Sequence, residues 1–233
     1  IGALVLATSA VQLANGFFGT FISLRLTIED FDTTMVGVVL SAYFAGFTAA
    51  AFFCTDIIAR VGHIRAYAAL AGMVIAATAA MPLLPGSLSW FALRAVIGFG
   101  CAGIFVTTES WLNAKAVPEK RGRVFSLYMV GTFVALALGQ LLIGRVEIAS
   151  AAPFGIIVTL FALALVFVSM TRVEPPQVQT VAPLPYGLLA RAAPTAFAGA
   201  ILSGLITGAF YALIPAWMQA ESIDQQTIGV VML

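Results

Sequence analysis

Residues 13–41, LANGFFGTFISLRLTIEDFDTTMVGVVLS, lie without a gap on residues 205–233, LITGAFYALIPAWMQAESIDQQTIGVVML. Of these 29 pairs nine are identical: Leu13/Leu205, Gly16/Gly208, Phe18/Phe210, Ile22/Ile214, Glu29/Glu221, Asp32/Asp224, Gly37/Gly229, Val38/Val230 and Val39/Val231. The Glu and Asp pairs fall outside the apolar stretches, so shared hydrophobicity does not account for the match. The offset of 192 residues is far longer than a solenoid unit, and what recurs is a half-protein. The second copy has barely begun at Leu233 and the chain opens on Ile1, so both ends read as trimmed.

With 61% hydrophobic residues, 9% charged and a mean hydropathy of +1.06, the chain has too little polar surface to enclose a water-soluble globule of its size. Apolar runs of about 20 residues, the length that crosses roughly 30 Å of hydrocarbon as a helix, alternate with short charged segments. A backbone in lipid must satisfy its hydrogen bonds within its own segment, so each run is expected to be a helix. The spans read as 3–25, 35–58, 66–84, 88–113, 124–145, 152–170 and 194–218, with an eighth opening at Thr227. The predicted fold class is all-α, a polytopic membrane bundle. It has six helices over 1–170, a linker over 171–193, and the start of a second lobe over 194–233. Same-sense repetition of such a half is how two-lobed secondary transporters are built. The first run lacks a basic leader and carries polar residues of its own, which makes it a working helix rather than a cleaved signal.

Eight of the eleven basic residues fall on one side of these spans: Arg60, Arg65, Lys115, Lys120, Arg121, Arg123, Arg172 and Arg191. That bias predicts a cytoplasmic face there, and a cytoplasmic N-terminus. Glu29, Asp30, Asp32, Glu147, Glu221 and Asp224 lie opposite. A net charge of +1 gives no reason to expect a nucleic-acid partner. Cys54 and Cys101 sit within spans, lack the other ligands of a metal site, and read as small core residues. No cofactor is implied. Residues 171–193 contain Pro175, Pro176, Pro183 and Pro185 and no run long enough to span. They read as a tether, in preference to a short surface helix in YGLLARAA.

Three further segments resemble the major facilitator superfamily, in particular its YcaD-like subgroup. Arg60-Val61-Gly62-His63-Ile64-Arg65 is similar to the basic tail of the superfamily's signature between helices 2 and 3. Arg94-Ala95-Val96-Ile97-Gly98-Phe99-Gly100 matches its R-x-x-x-G-x-G pattern in helix 4. Glu109-Ser110-Trp111-Leu112-Asn113, continuing through Pro118 to Arg121-Gly122-Arg123, looks like the helix 4 acid followed by the basic loop before helix 5. The chain departs from the first signature: Ala59 stands where the superfamily usually has Asp and Thr55 where it has the first Gly, with Asp56 one turn earlier than Ala59. The fifth span keeps glycines, as in Gly131 and Gly139-Gln140, but lacks the Gly-Pro pair of the antiporter signature, so that signature gives no support for drug/proton exchange. The resemblance implies a small-molecule substrate, a lipid bilayer as surroundings, and the bacterial cytoplasmic (inner) membrane as location.

Among individual residues Arg94 is the sharpest. A guanidinium facing lipid that deep in a span would cost at least ~2.5 kcal/mol, so it must face protein or water. It either lines a central cavity, meeting an anionic or polar substrate or a carbonyl, or clamps neighbouring helix backbones. Gln12, Asn15 and Thr20 form a polar ladder on the first helix, with Phe18 on a nearby turn. Asn15 maps to Thr207 in the repeat, and Phe18 to Phe210 beside Tyr211. Since helices 1, 4 and 7 line the path in the superfamily, the cavity set is Gln12, Asn15, Phe18, Arg94, Gln140, Thr207 and Tyr211, each with interhelical hydrogen bonding as the alternative. Gate candidates are Asp56, Arg60, Gly62, Arg65, Glu109, Arg121 and Arg123. Glu109 lies about 22 Å along the helix from Arg94 and is expected to pair with Arg60, Arg65, Arg121 or Arg123, as a gate or bundle clamp rather than a proton carrier. His63 reads as a residue of the basic loop. No acid falls near the middle of a span.

Nothing suggests an enzyme: no Walker-type loop, no metal-ligand cluster, and no triad that a single histidine could complete. The leading reading is a transporter that rocks one lobe against the other. The alternative is a non-transporting accessory or assembly subunit of a larger membrane complex. The two differ in whether a full second lobe is required.

Overall fold

The computed structural model describes residues 2–29, 31–171 and 186–233. Asp30, Arg172 and the four linker prolines fall outside the described residues. The apolar runs form α1 (Gly2–Ile28), α2 (Thr33–Val61), α3 (His63–Ala80), α4 (Ser87–Lys115), α5 (Arg121–Gln140), α6 (Ala152–Ser169) and α8 (Pro194–Ala220). Among the described residues seven helical segments are long and apolar enough to cross a membrane. A short α7 (Tyr186–Ala192) precedes α8, and α9 (Gln225–Val231) follows it. The tether expectation for YGLLARAA is thus corrected: Tyr186–Ala192 make about two turns of helix, consistent with their Leu, Ala and Arg content.

Two boundaries differ from expectation for local reasons. α2 and α3 meet at Gly62, whose φ of 82° lies in a region that suits a residue without Cβ. The reversal takes that single residue, so there is no basic loop, and His63 is the first residue of α3, 1% exposed against α4. Within the expected fifth span the helix type changes: α5 stops at Gln140, and a 3₁₀ turn over Ile143–Arg145 completes the segment long enough to cross.

The repeat recurs at helix starts. Asp32 Oδ2 accepts from the Thr34 amide at 3.0 Å and caps α2. Its mate Asp224 caps α9, accepting from the Thr227 amide at 2.9 Å and the Thr227 hydroxyl at 2.5 Å. One carboxylate at each place satisfies an amide the helix leaves unpaired.

Packing follows the small residues. α2 lies mainly on α4, α1 on α5 and α6, α3 on α4 and α6, and α8 rests on α1. A Cβ at Gly46 of α2 would fall on the Ala95 carbonyl of α4, and one at Gly98 of α4 on the Tyr43 carbonyl of α2. α1 and α5 make the same reciprocal crossing, Gly16 against Leu136 and Gly139 against Leu13. Such backbone contact, rather than exclusion of water, drives association among apolar helices in lipid.

The end of the bundle that carries the acidic loops is sealed by aromatic rings. Phe31 stacks on Trp90 at 6.0 Å, Trp90 meets Phe154 at 6.2 Å, and Phe154 meets Phe21 at 4.9 Å. The Trp90 indole donates to the Met81 carbonyl at 3.0 Å. Arg25 donates to the carbonyls of Ile148, Ala149 and Ser150 and pairs with Glu29 at 2.5 Å. This end is well tied, and it lies above the cavity between the helices.

Candidate functional site

The cavity occupies about 180 Å³ between α1, α2, α4, α5 and α8. Its walls include all seven residues of the expected cavity set: Gln12, Asn15, Phe18, Arg94, Gln140, Thr207 and Tyr211. They come from both copies of the repeat. Phe210, the repeat mate of Phe18, is 42% exposed and stacks edge-on against Tyr211 at 5.4 Å outside the lining.

Asn15 and Thr207 line the same space, and further along Ser23 Oγ donates to the Ala212 carbonyl at 2.8 Å. Residue number rises in the same direction on both helices, so α1 and α8 run in the same sense. The loops that follow them therefore lie at the same end of the bundle. Pro215 helps at this point: it has no amide to give the Tyr211 carbonyl, which loosens α8 where it reaches the cavity.

Arg94 sits at 4% exposure with its guanidinium carbon 4.7 Å from the Tyr43 ring centre and 5.2 Å from that of Phe18. The R-x-x-x-G spacing explains the placement. Gly98, one turn beyond Arg94, lets α4 touch the Tyr43 backbone, and this contact lays the Tyr43 ring over the guanidinium. The second glycine of the motif serves α3: a Cβ at Gly100 would meet Val74 and Leu70. The Arg94 guanidinium calls for a hydrogen-bond acceptor. Among the described residues none meets it: its Nε is buried without a partner, and the cavity walls carry no acid.

Beside Arg94 a polar string runs across the cavity floor. Asn15 Nδ2 donates to Gln12 Oε1 at 3.4 Å, and the Cys101 thiol lies 3.5 Å from Asn15 Oδ1. Toward the sealed end, the Thr20 hydroxyl donates to Gln140 Oε1 at 2.7 Å. Just beyond, Gly229 of α9 packs on the Gln140 carbonyl and Gly144 on Gln226, so α9 closes against the end of α5. Sequence reasoning missed Tyr43, Phe44 and Leu40, which bring α2 into the wall. The signal was Gly46, read only as packing, which fixes how closely α2 approaches α4.

The gate candidates are spread over the basic end. Asp56, Arg60, Arg65, Arg121 and Arg123 are exposed, and Gly62 forms the α2–α3 turn. The expected pairing of Glu109 with these arginines is not made. Glu109 instead accepts from the Tyr128 hydroxyl at 3.3 Å, while Arg121 reaches the Asn113 carbonyl at 3.5 Å. Among the described residues the ion pair is Arg25–Glu29, at the other end. The physical reason lies in the aromatic face of α5, which puts Tyr128 beside Glu109 while long arginine side chains reach solvent. His63, off the cavity, places Nε2 3.1 Å from Ser110 Oγ and its ring 5.9 Å from Trp111.

Residues 4–233 match the family model of the Major Facilitator Superfamily. The chain is 33% identical over 234 aligned positions to proteins named "Uncharacterized MFS-type transporter YcaD" in Escherichia coli O7:K1 (strain IAI39 / ExPEC) and Escherichia coli O6:K15:H31 (strain 536 / UPEC). The alignment covers 98% of this chain and 59% of each relative, so the chain spans under two thirds of their length.

Proposed function

This chain belongs to the Major Facilitator Superfamily, and from that premise we propose that it forms one lobe and the opening of the second in a transporter that moves a small solute by alternating access. Residues 1–170 make the first lobe, 171–193 the linker, and 194–233 begin the second. The basic end faces the cytoplasm of a bacterium, and the acidic end faces outward across the inner membrane. The observation that carries the reading is the convergence of both repeats on one cavity, with Asn15 and Thr207 as repeat mates in its walls. The contacts of Ser23 with Ala212 and of α9 with the end of α5 support a state closed on the acidic side. The accessory-subunit reading is not favoured, since the relatives above are named as transporters.

Reconstitution of the full-length protein into liposomes tests this. Substrate-dependent counterflow is expected with the native protein, and Arg94→Ala should abolish it while leaving the protein in the membrane. Native rates in the alanine variant would remove Arg94 from the mechanism. Absence of counterflow for every solute that binds would remove transport.

A further inference from the structure

Resting on the transport reading, we infer that the cavity takes a small organic monoanion, a carboxylate with an apolar body, and that Arg94 is its counter-charge. A guanidinium offers five donors in a planar fork. Here it is 4% exposed, no acceptor among the described residues meets it, and the ion pair Arg25–Glu29 is remote from it. An uncompensated buried charge is strongly unfavourable, and an arriving anion supplies what the fold withholds. The aromatic plates of Phe18 and Tyr43 hold the carbon of the fork but accept no conventional hydrogen bond, leaving its N–H groups for a ligand.

The rest of the wall sets the remaining chemistry. Among the described residues Arg94 is the only cation in the lining, so one negative charge is balanced and a second would be stranded. Leu40, Phe44, Phe105 and Leu136 give the cavity apolar sides, which suit a hydrocarbon or aromatic body and offer little to a bare inorganic ion. Two amides, Gln12 and Asn15, stand nearby for one further polar group.

The test uses purified full-length protein, with benzoate and its neutral isostere benzamide as probes, alongside acetate, 3-phenylpropionate, chloride and sulfate. Binding is read by calorimetry and by thermal shift. Benzoate or 3-phenylpropionate should bind about tenfold or more tightly than benzamide, the scale expected of a charge-assisted bidentate pair. Arg94→Gln should erase that preference, and Arg94→Lys should keep part of it. Each variant is first checked for a monodisperse elution profile. If Arg94→Gln fails that check, the native charge preference and its reduction in Arg94→Lys decide.

Equal binding of benzoate and benzamide overturns the inference, as does benzoate affinity unchanged in Arg94→Gln. Silence from all the carboxylates overturns it too, and so does tighter binding of chloride or sulfate than of benzoate. The transport reading fails separately. Arg94-dependent benzoate binding without counterflow would leave the anion site and remove transport, whereas counterflow of a neutral solute unaffected by Arg94→Gln would do the reverse.

Discussion

At the scale of single residues, Arg94 shows how a charge can be oriented without a salt bridge. Tyr43 and Phe18 present ring faces at 4.7 and 5.2 Å, and such contacts are worth about 2 kcal/mol when desolvated. Tyr43→Phe keeps the ring and should leave the thermal midpoint nearly unchanged. Tyr43→Leu removes it and should cost about 1–2 kcal/mol, read by thermal unfolding in detergent. Equal midpoints for the two variants would mean that the Tyr43 ring contributes only volume. Arg94 was legible in the sequence because a charge in an apolar run is costly wherever it points. Tyr43 was not, because an aromatic residue in such a run carries no comparable penalty and announces no partner. His63 misled for a related reason: polar neighbours on both sides suggested a loop, while a one-glycine turn at Gly62 placed it inside.

At the scale of elements, glycine position sets the architecture. The Gly46–Gly98 crossing of α2 and α4 brings backbone to backbone, so a side chain there displaces a whole helix. Gly98→Ala should cost more than the about 1–3 kcal/mol typical of overpacking and should separate Tyr43 from Arg94. Gly72→Ala has open space around the new Cβ and should be neutral or mildly stabilising through helix propensity. Comparing the two midpoints checks this, and similar values would show that α2 and α4 can part at no cost. The span lengths were readable because lipid thickness dictates them. The break after Gln140 was not, since 3₁₀ and α turns share the same apolar composition. The repeat did announce its caps. Hydrogen bonds from Thr227 hold the Asp224 carboxyl below its ordinary value. A carboxyl depressed in the folded state stabilises above its unfolded pKa, about 3.9, and that contribution is lost as pH falls through the folded value. Protection of the 225–231 amides should therefore fall only below that range, and Asp224→Asn should flatten this acid limb in hydrogen exchange. Identical acid limbs in the two proteins would mean that this carboxyl does not set the stability of α9.

At the scale of the whole molecule, the two copies of the repeat meet at their acid-flanked ends. Ser23 of α1 donates to the Ala212 carbonyl of α8, and α9 packs on the end of α5. By contrast, Leu202, Leu205 and Ile206, nearer the basic end of α8, are 59%, 65% and 68% exposed. The same-sense relation of α1 and α8 was legible from the repeat, because the five spans between them bring the chain back to its original direction. Which end would be closed was not, since both ends carry charged loops and the decisive contacts are made by small residues. If solute enters from the acidic side, Ser23 and Ala212 must separate in each cycle. Ser23→Cys with Ala212→Cys, in the full-length protein, should cross-link under mild oxidation and abolish uptake. Reduction should restore it, and neither single variant should respond to oxidant. A ligand cannot shift an equilibrium when the state it prefers is covalently excluded. Fully cross-linked protein that still takes up solute at the native rate would show that α1 and α8 need not part, and alternating access about this cavity would fall.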